Sequence, residues 1–463
     1  FDEIYILDLH GNSLKRETTP EGGKDENVFD IRQGVAIALF VKNKDKKESF
    51  VYHADLYGLR QKKYDWLDKN EFLKENYLSV KPQTPYYFFR KHDTETIKKY
   101  LDWKKINEIF PLNGVGMTTA RDNFVIDFDR FKLENRIRLF KNSKFDDEEL
   151  HNFFQINKKK GWNIRKAWEM LQSISDIELK KYILPIAYRP FCYRYIFWHD
   201  SVVWRTVRRV MRHMLEDNIG LITARSNKSS DMDHFFISNM IMETKCGERT
   251  TQSAIFPLYI YPDEKNIDLF NHTQTKKVPN ITPLIFEKLT ECYNKKPTPE
   301  EILYYIYGVF YSNIYRETYA EFLKIDFPRV PFTSNYDLFI EMGKFGKELA
   351  ALHLLKSLQL DLPIGKYQGS GDNDRIEKVI YKEDEQRIYI NEEKYFEGVT
   401  PEVWNYHIGG YQVLRKYLKD REDRMMDDAP RYCRIVTALY KTIEIQKQID
   451  NIYPEIEKNL VIF

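Results

Sequence analysis

The chain has 463 residues, and 72 basic against 70 acidic side chains leave a net charge of +2. That length exceeds one simple core, so two or three domains are expected. A near-neutral total neither demands nor excludes nucleic acid, which only the distribution of charge can indicate. No window reaches the unbroken apolar length of a membrane helix. The four cysteines, Cys192, Cys246, Cys292 and Cys433, form no CxxC pair. With no secretory segment, this points to a reducing cytoplasm, and the spacing argues against a zinc site. The 32 Tyr and 30 Phe fit either aromatic cores or base stacking, and composition alone favours cores.

The opening FDEIYILDLHGN alternates, with Ile4 and Ile6 on one side and Tyr5, Leu7 and Leu9 on the other. Both rows are apolar, as in a strand covered on both faces of a sheet. A polar loop, GNSLKRETTPEGGKDEN, leads to VFDIRQGVAIALFVK, apolar throughout Val35–Val41, and then to SFVYHADLYG. Strands separated by a long polar loop resemble the end of an α/β sheet whose last strand returns antiparallel. Residues 58–108 read as helical, then irregular. From about 110 to 265, short helices and strands mix. NIRKAWEMLQ is a helix capped by Asn163, AYRPFCYRYIFW is extended around Pro190, and VVWRTVRRVMRHML reads as an amphipathic helix. NIGLITARS and SAIFPLYIYP read as strands. Beyond about 278, TPLIFEKLTECYNK, TPEEILYYIYGVFYS and NIYRETYAEFLK open on Thr or Asn caps, and YDLFIEMGKFGKELAALHLLKS continues the helical series. RIEKVIYKE and QRIYINEEKYFEGV read as a hairpin-like pair, and one long helix follows from about 428.

Several blocks carry a resemblance. FDEIYILDLHGN with DENVFDIRQGVAIALFVK resembles the last sheet strands of the N6-adenine DNA methyltransferase in Type ISP restriction-modification enzymes and their single-chain relatives. The likeness continues, in order, through IFPLNGVGMTTARDNFVIDFD, AYRPFCYRYIFWHD, NIGLITARS, FPLYIYPDE, YAEFLKIDFPRVPFT and YFEGVTPEVWNYHIGGYQVLRKYLKDR. It implies an α/β plus α+β fold. Residues 1–60 would be the last strands of a Rossmann-like methyltransferase sheet, 61–110 a connector, 111–277 a mixed α/β target-recognition domain and 278–463 a mainly helical specificity domain. Two family motifs are absent: the Gly-rich loop for S-adenosylmethionine and the Asn-Pro-Pro-Tyr that grips a flipped adenine. Both precede the matching strand in that family, so the resemblance implies that the rest of the sheet, and the cofactor, belong upstream of these residues. The chain would then be a fragment of an adenine-specific methyltransferase without a complete active site, inactive alone, since methyl transfer needs the donor and the extruded base held together. No GxxxxGK[ST] loop, convincing PD…(D/E)xK pattern or HExxH occurs. Asp127/Asp129, the acids at 146–149 and the run at 424–428 read as structural or solvated.

What remains under this resemblance is reading of double-stranded DNA, which needs phosphate anchors and base-edge probes. Arg205, Arg208, Arg209 and Arg212 would share one face of the expected helix, where an anionic partner would relieve their repulsion. The alternative is a solvated face or pairing with distant acids. Arg225, Ser226, Asn227 and Lys228 follow a strand on a loop, where reading residues commonly sit. Lys245, Arg249, Thr250, Thr251 and Gln252 form a second such loop. Lys158, Lys159, Lys160, Arg165 and Lys166 surround a helix start that suits a phosphate or is a solvated run. Lys15 and Arg16 lie in the first polar loop, whose acids weaken its field. Arg189, Phe191 and Tyr193, with Tyr188, Cys192 and Arg194, read as packing with structural arginine. A second reading makes the chain a split subunit that docks on a separate catalytic chain through its apolar strands, with little DNA contact of its own.

Overall fold

The computed structural model describes residues 1–13, 17–43, 48–90, 94–228, 232–262 and 277–463. They form two compact units, one of residues Phe1–Leu101 and one from Asp102 onward. Residues 111–277 and 278–463 therefore belong to one compact unit. The architecture is mixed α/β, built from several small sheets and many helices. Among the described residues no helix is long and apolar enough to cross a membrane.

The first unit is a four-stranded sheet in the order β2-β1-β3-β4, with β1 Glu3–Asp8, β2 Ala36–Val41, β3 Phe50–Asp55 and β4 Leu78–Val80. β2 runs antiparallel to β1, as the sequence suggests, and β3 runs parallel to it. The expected burial on both faces is found only in part. Tyr5, Leu7 and Leu9 are buried, whereas Ile4 and Ile6 are half-buried and every residue of β2 is exposed. One face is covered by helix α1, Arg60–Lys69, whose Trp66 and Leu67 pack with Leu7, Leu9 and Val28; on the other, Val51 and His53 of β3, beside Ile4 and Ile6, are buried. A buried ion pair fastens this unit. Lys63 donates to the Leu9 and Glu26 carbonyls at 2.7 Å each and lies 2.8 Å from Asp25, which accepts from the Gly11 and Gly58 main-chain N–H groups. The polar loop after β1 is thus folded onto α1 by its own Asp25.

In the second unit, an antiparallel sheet places Phe235–Ser238, Gly220–Ala224, Ser253–Pro257 and Gly114–Val115 side by side. A second sheet contains the hairpin Ile183–Arg189 and Cys192–Phe197, which turns at Pro190–Phe191. The expected hairpin near the C-terminus is part of four strands, because Lys366–Gly369 adds to Lys394–Glu397.

The helical part is fixed by close packing and a buried polar chain. Pro299–Tyr311 crosses Tyr336–His353 so tightly that a Cβ on Gly346 would lie 1.7 Å from the Tyr304 carbonyl oxygen. His353 accepts or donates at both ring nitrogens, with the Tyr307 hydroxyl at 2.6 Å and the Thr442 hydroxyl at 2.9 Å, so it joins both helices to the terminal helix Ala429–Ile456. The Tyr311 hydroxyl donates to the Phe235 carbonyl at 2.9 Å, tying this bundle to the first sheet. Thr298 opens its helix with a capping box, while Ser312 rather than Asn313 caps the next.

Burial pushes the pKa of His353 and of His234 down from 6.5 to about 3. The fold keeps both rings neutral where the unfolded chain protonates them. The unfolded state therefore binds more protons between those values, and stability falls as pH drops through the window. Urea unfolding across pH 6.5 to 4 should show this loss, at up to about 1.4 kcal/mol per pH unit for each ring. His353→Gln should flatten the dependence; an unchanged slope would mean that His353 titrates normally.

Candidate nucleic-acid interface

The antiparallel register sets Ala224 opposite Ser253, so the loop leaving one strand meets the loop entering the other. These are two of the loops singled out in the sequence, Arg225–Lys228 and Lys245–Gln252. Their contact is built on Glu248, which is fully buried. Its carboxylate accepts from the Thr250 and Thr251 hydroxyls at 2.8 Å each and from the Thr251 main-chain N–H. The Thr251 hydroxyl also reaches the Ser226 carbonyl, and the Lys228 N–H donates to the Thr250 hydroxyl at 3.2 Å. A third segment joins them. The Arg249 N–H donates to the Gly409 carbonyl at 2.8 Å, and the Tyr411 hydroxyl to the Lys245 carbonyl at 3.0 Å. Gly409 has φ +59°, and a Cβ there would lie 2.1 Å from the Gly247 carbonyl oxygen, so only glycine fits.

The side chains divide into two kinds. Lys228, Arg249 and Gln252 are exposed, and Arg225 is 75% exposed with Asp326 3.4 Å away. Asn227 is buried against His234 and is part of the scaffold. Lys245 directs its ammonium to the Thr251 carbonyl at 2.6 Å and holds the loop.

The arginine run forms only the second half of the expected helix. The Trp204 and Arg205 N–H groups donate to the Thr119 and Thr118 carbonyls, Val207 is left-handed at φ +49°, and helical turns begin at Arg208, with Arg208–Met211 followed by a tighter turn over Arg212–Leu215. The run carries β-branched Val202, Val203, Thr206 and Val207, poor helix formers, and Val202 and Val203 are buried where they stand. Arg205 consequently stands outside the helical turns that carry Arg208, Arg209 and Arg212. Arg208 is paired with Asp200 at 2.8 Å and stacked on Trp198, and Arg212 is engaged. Arg205 and Arg209 are exposed and belong to no ion pair among the described residues.

The basic turn Lys158–Lys160 is exposed and docks on this same segment. Lys159 lies 4.8 Å over the Trp204 ring, and the Trp162 indole N–H donates to the Ser201 carbonyl at 2.7 Å. It thereby comes beside Arg205. Arg165 instead pairs with Asp147 at 2.7 Å and packs on Trp168 as a structural corner; Asn163 caps its helix as expected. Lys15 and Arg16 lie outside the described residues. The segment 114–119 stitches the two groups together. Its Met117 bridges to Glu243, its Thr118 bridges to Arg205, and a Cβ on Gly116 would lie 2.6 Å from the Glu243 carbonyl carbon.

Several supporting residues surround the loops; Arg189 and Arg194 are the structural arginines expected of their strand, whereas Glu243 and Arg121 had no signal in the sequence. Glu243 pairs with Arg189 at 2.5 Å and accepts the Lys245 N–H; burial pushes its carboxyl pKa up. Arg194 pairs with Asp420 and stacks on Tyr188. Arg121 is buried 3.6 Å over the Trp162 ring, its pKa lowered to about 10 by burial. Nothing in TTARDNF distinguishes it, since its partners lie tens of residues away.

Residues 108–447 match the family model for the Type ISP C-terminal specificity domain. The chain belongs to that family. Solved structures share the fold of this Type ISP chain. A nuclease-deletion mutant of the Type ISP restriction-modification enzyme LlaGI, in complex with a DNA substrate mimic, is 19% identical with a TM-score of 0.64, covering 97% of this chain and 37% of that one. The ATP-dependent Type ISP enzyme LlaBIII bound to DNA is 20% identical at 0.68, covering 97% and 31%. The DrdV–DNA complex is 20% identical at 0.67, covering 97% and 48%. The Type ISP chain thus spans less than half the length of each. No curated protein matches its sequence.

Removing the Glu248 carboxylate would leave the Thr250 hydroxyl and the Thr251 main-chain N–H without this acceptor, and the Thr251 hydroxyl with the Ser226 carbonyl alone. Glu248→Ala should cost about 1–3 kcal/mol and speed hydrogen exchange at the Lys228 and Thr251 amides. Unaltered protection of both amides would show that the loops are held by something else.

Proposed function

We propose that this chain recognises double-stranded DNA in a sequence-specific manner, as the reading portion of a Type ISP restriction-modification enzyme that methylates adenine at N6. The observation that carries this is the joining of two basic loops at one end of an antiparallel sheet, stitched by residues 114–119 to a second basic group. Lys158, Lys159, Lys160, Arg205 and Arg209 supply charges not neutralised by acids, as phosphate anchors need. Arg225, Lys228, Arg249 and Gln252 project from loops on a rigid frame, where donors can meet base edges. The relatives LlaGI, LlaBIII and DrdV, each solved with DNA or a DNA mimic, support the choice of partner. In this reading residues 111–277 carry the reader and 278–463 brace it. The sheet of the first unit is the end of a Rossmann-like methyltransferase sheet, and S-adenosylmethionine is bound by the upstream part of the enzyme.

A second reading rests on β2. All six of its residues are exposed, it forms the edge of its sheet, and Ile37, Leu39, Phe40 and Val41 each leave at least two-fifths of their surface in water. Such an edge pairs with another strand or aggregates. In this reading the chain docks through β2 on a separate catalytic chain. Sedimentation velocity discriminates: self-association that Leu39→Lys abolishes supports a docking edge, and a monodisperse monomer at all concentrations counts against it.

The DNA reading is tested by anisotropy on duplex DNA across a salt series. Arg205→Ala with Arg209→Ala should reduce the log–log salt slope by about two, while Arg165→Ala leaves it unchanged. Arg225→Ala and Arg249→Ala should each erode discrimination between cognate and random duplex by about 1–3 kcal/mol. No binding at low salt would overturn the proposal for the isolated chain.

A further inference from the structure

The carboxyl ends of β1 and β3 hold a cluster that DNA reading does not use. The two strands are parallel and in register, with Asp8 opposite Asp55. His53 precedes Asp55 by two residues and so shares its face. Open α/β sheets place ligands at this end of their strands.

His10 orients both carboxylates. Its main-chain N–H donates to Asp8 Oδ1 at 2.9 Å, and its Nε2 lies 2.9 Å from Asp55 Oδ1. Its Nδ1 faces Glu17 at 2.9 Å, and its ring stacks on Tyr57 with centroids 3.8 Å apart. His10 is therefore engaged at both nitrogens and acts as a frame, in the manner of outer residues that orient metal ligands.

His53 is different. It is 5% exposed, and its ring makes no hydrogen bond among the described residues. Asp55 Oδ2 lies 3.6 Å from its Nδ1, beyond hydrogen-bonding distance. His10 already serves one oxygen of Asp55 and its neighbour Glu17, which leaves Asp55 Oδ2, Asp8 and the largely buried His53 ring facing one another. A bound ion would be ligated by all three. Asp8, His53 and Asp55 each offer a ligand atom, all within 4.8 Å of one another. Atoms ligating one ion at about 2.1 Å lie up to about 4.2 Å apart, so small side-chain movements close the set. The Asp8 and Asp55 side chains are 31% and 43% exposed, leaving a route for the ion and room for water.

We propose that Asp8, His53 and Asp55 form a binding site for a divalent first-row transition-metal ion, which clips β1 to β3. The imidazole nitrogen favours Zn²⁺, and the two carboxylates also admit Mn²⁺, whereas Mg²⁺ and Ca²⁺ take oxygen ligands alone. The spacing rules that find sites in a sequence miss this one, because its ligands come from two strands paired in parallel.

The test uses the full chain stripped by a chelator. Mn²⁺ is titrated by loss of its free-ion paramagnetic signal, and Zn²⁺, Mg²⁺ and Ca²⁺ by calorimetry. One Mn²⁺ or Zn²⁺ per chain is expected, weakened at least about tenfold in His53→Gln and in Asp55→Asn, with Mg²⁺ and Ca²⁺ much weaker. Zn²⁺ should also raise the melting temperature of the wild-type chain and not that of His53→Gln. Circular dichroism of each variant without metal checks that the sheet is intact; His53→Gln keeps the His10 frame if Asp55→Asn disturbs it. No saturable binding at millimolar ion, binding indifferent to His53→Gln, or equal affinity for Mg²⁺ would each overturn the proposal.

Discussion

The antiparallel pairing of Gly220–Ala224 with Ser253–Pro257 is the constraint on which the candidate interface depends. It brings residues more than twenty positions apart to the same sheet end. A one-residue slip would invert every side chain of these strands, all of which are buried. The register is held from below by the Phe235 strand, itself anchored by Tyr311 and Phe310. It is held from above by Glu248, whose buried carboxylate gives Thr250 and Thr251 a fixed place. The helical bundle thus acts on the loops through the sheet, and His353 matters to the interface without approaching it.

Electrostatics shows how a chain of nearly zero net charge can present a basic surface. Many of its arginines are turned inward. Arg189, Arg194 and Arg421 lie over tyrosine or phenylalanine rings, and the first two also face Glu243 and Asp420. A planar, weakly hydrated guanidinium suits such stacking. Arg165 and Arg208 are paired with Asp147 and Asp200. The large aromatic content serves the same purpose, supplying cores and platforms for these cations. One exposed group, Lys158–Lys160, Arg205, Arg209, Lys228 and Arg249, is gathered by main-chain pairing of distant segments. A sum over the chain hides that gathering.

Local chemistry was readable where it decides the structure. The Asn163 cap, the Thr298 capping box and the long terminal helix follow from nearest neighbours. The loops at 225 and 245 were recognisable as loops, and the block resemblance pointed to the family. Arginines three and four apart mimic a helical face, but that spacing does not determine a helix when Val202, Val203, Thr206 and Val207 lie between. Here the pairing with Thr118, nearly ninety residues earlier, prevails. Asn227 looks like a reader by composition and is buried by its contact with His234. The Arg189–Glu243 pair and the Asp8–His53–Asp55 cluster are invisible for the same reason, since strand register is a tertiary fact.

The first unit shows how an exposed edge can coexist with a stable fold. Its apolar core lies where Leu7, Leu9 and Val28 meet α1, and its polar anchor is the Lys63–Asp25 pair. Breaking a buried pair by removing one member typically costs about 3–5 kcal/mol, so this anchor specifies how the loop after β1 folds. β2 contributes none of these buried groups. Its hydrogen bonds to β1 hold it in place while its apolar side chains remain in water. Pairing of a further strand at that edge would bury those side chains without breaking any contact the unit already makes. The edge is therefore free to be used, and the sheet does not need to rearrange to use it.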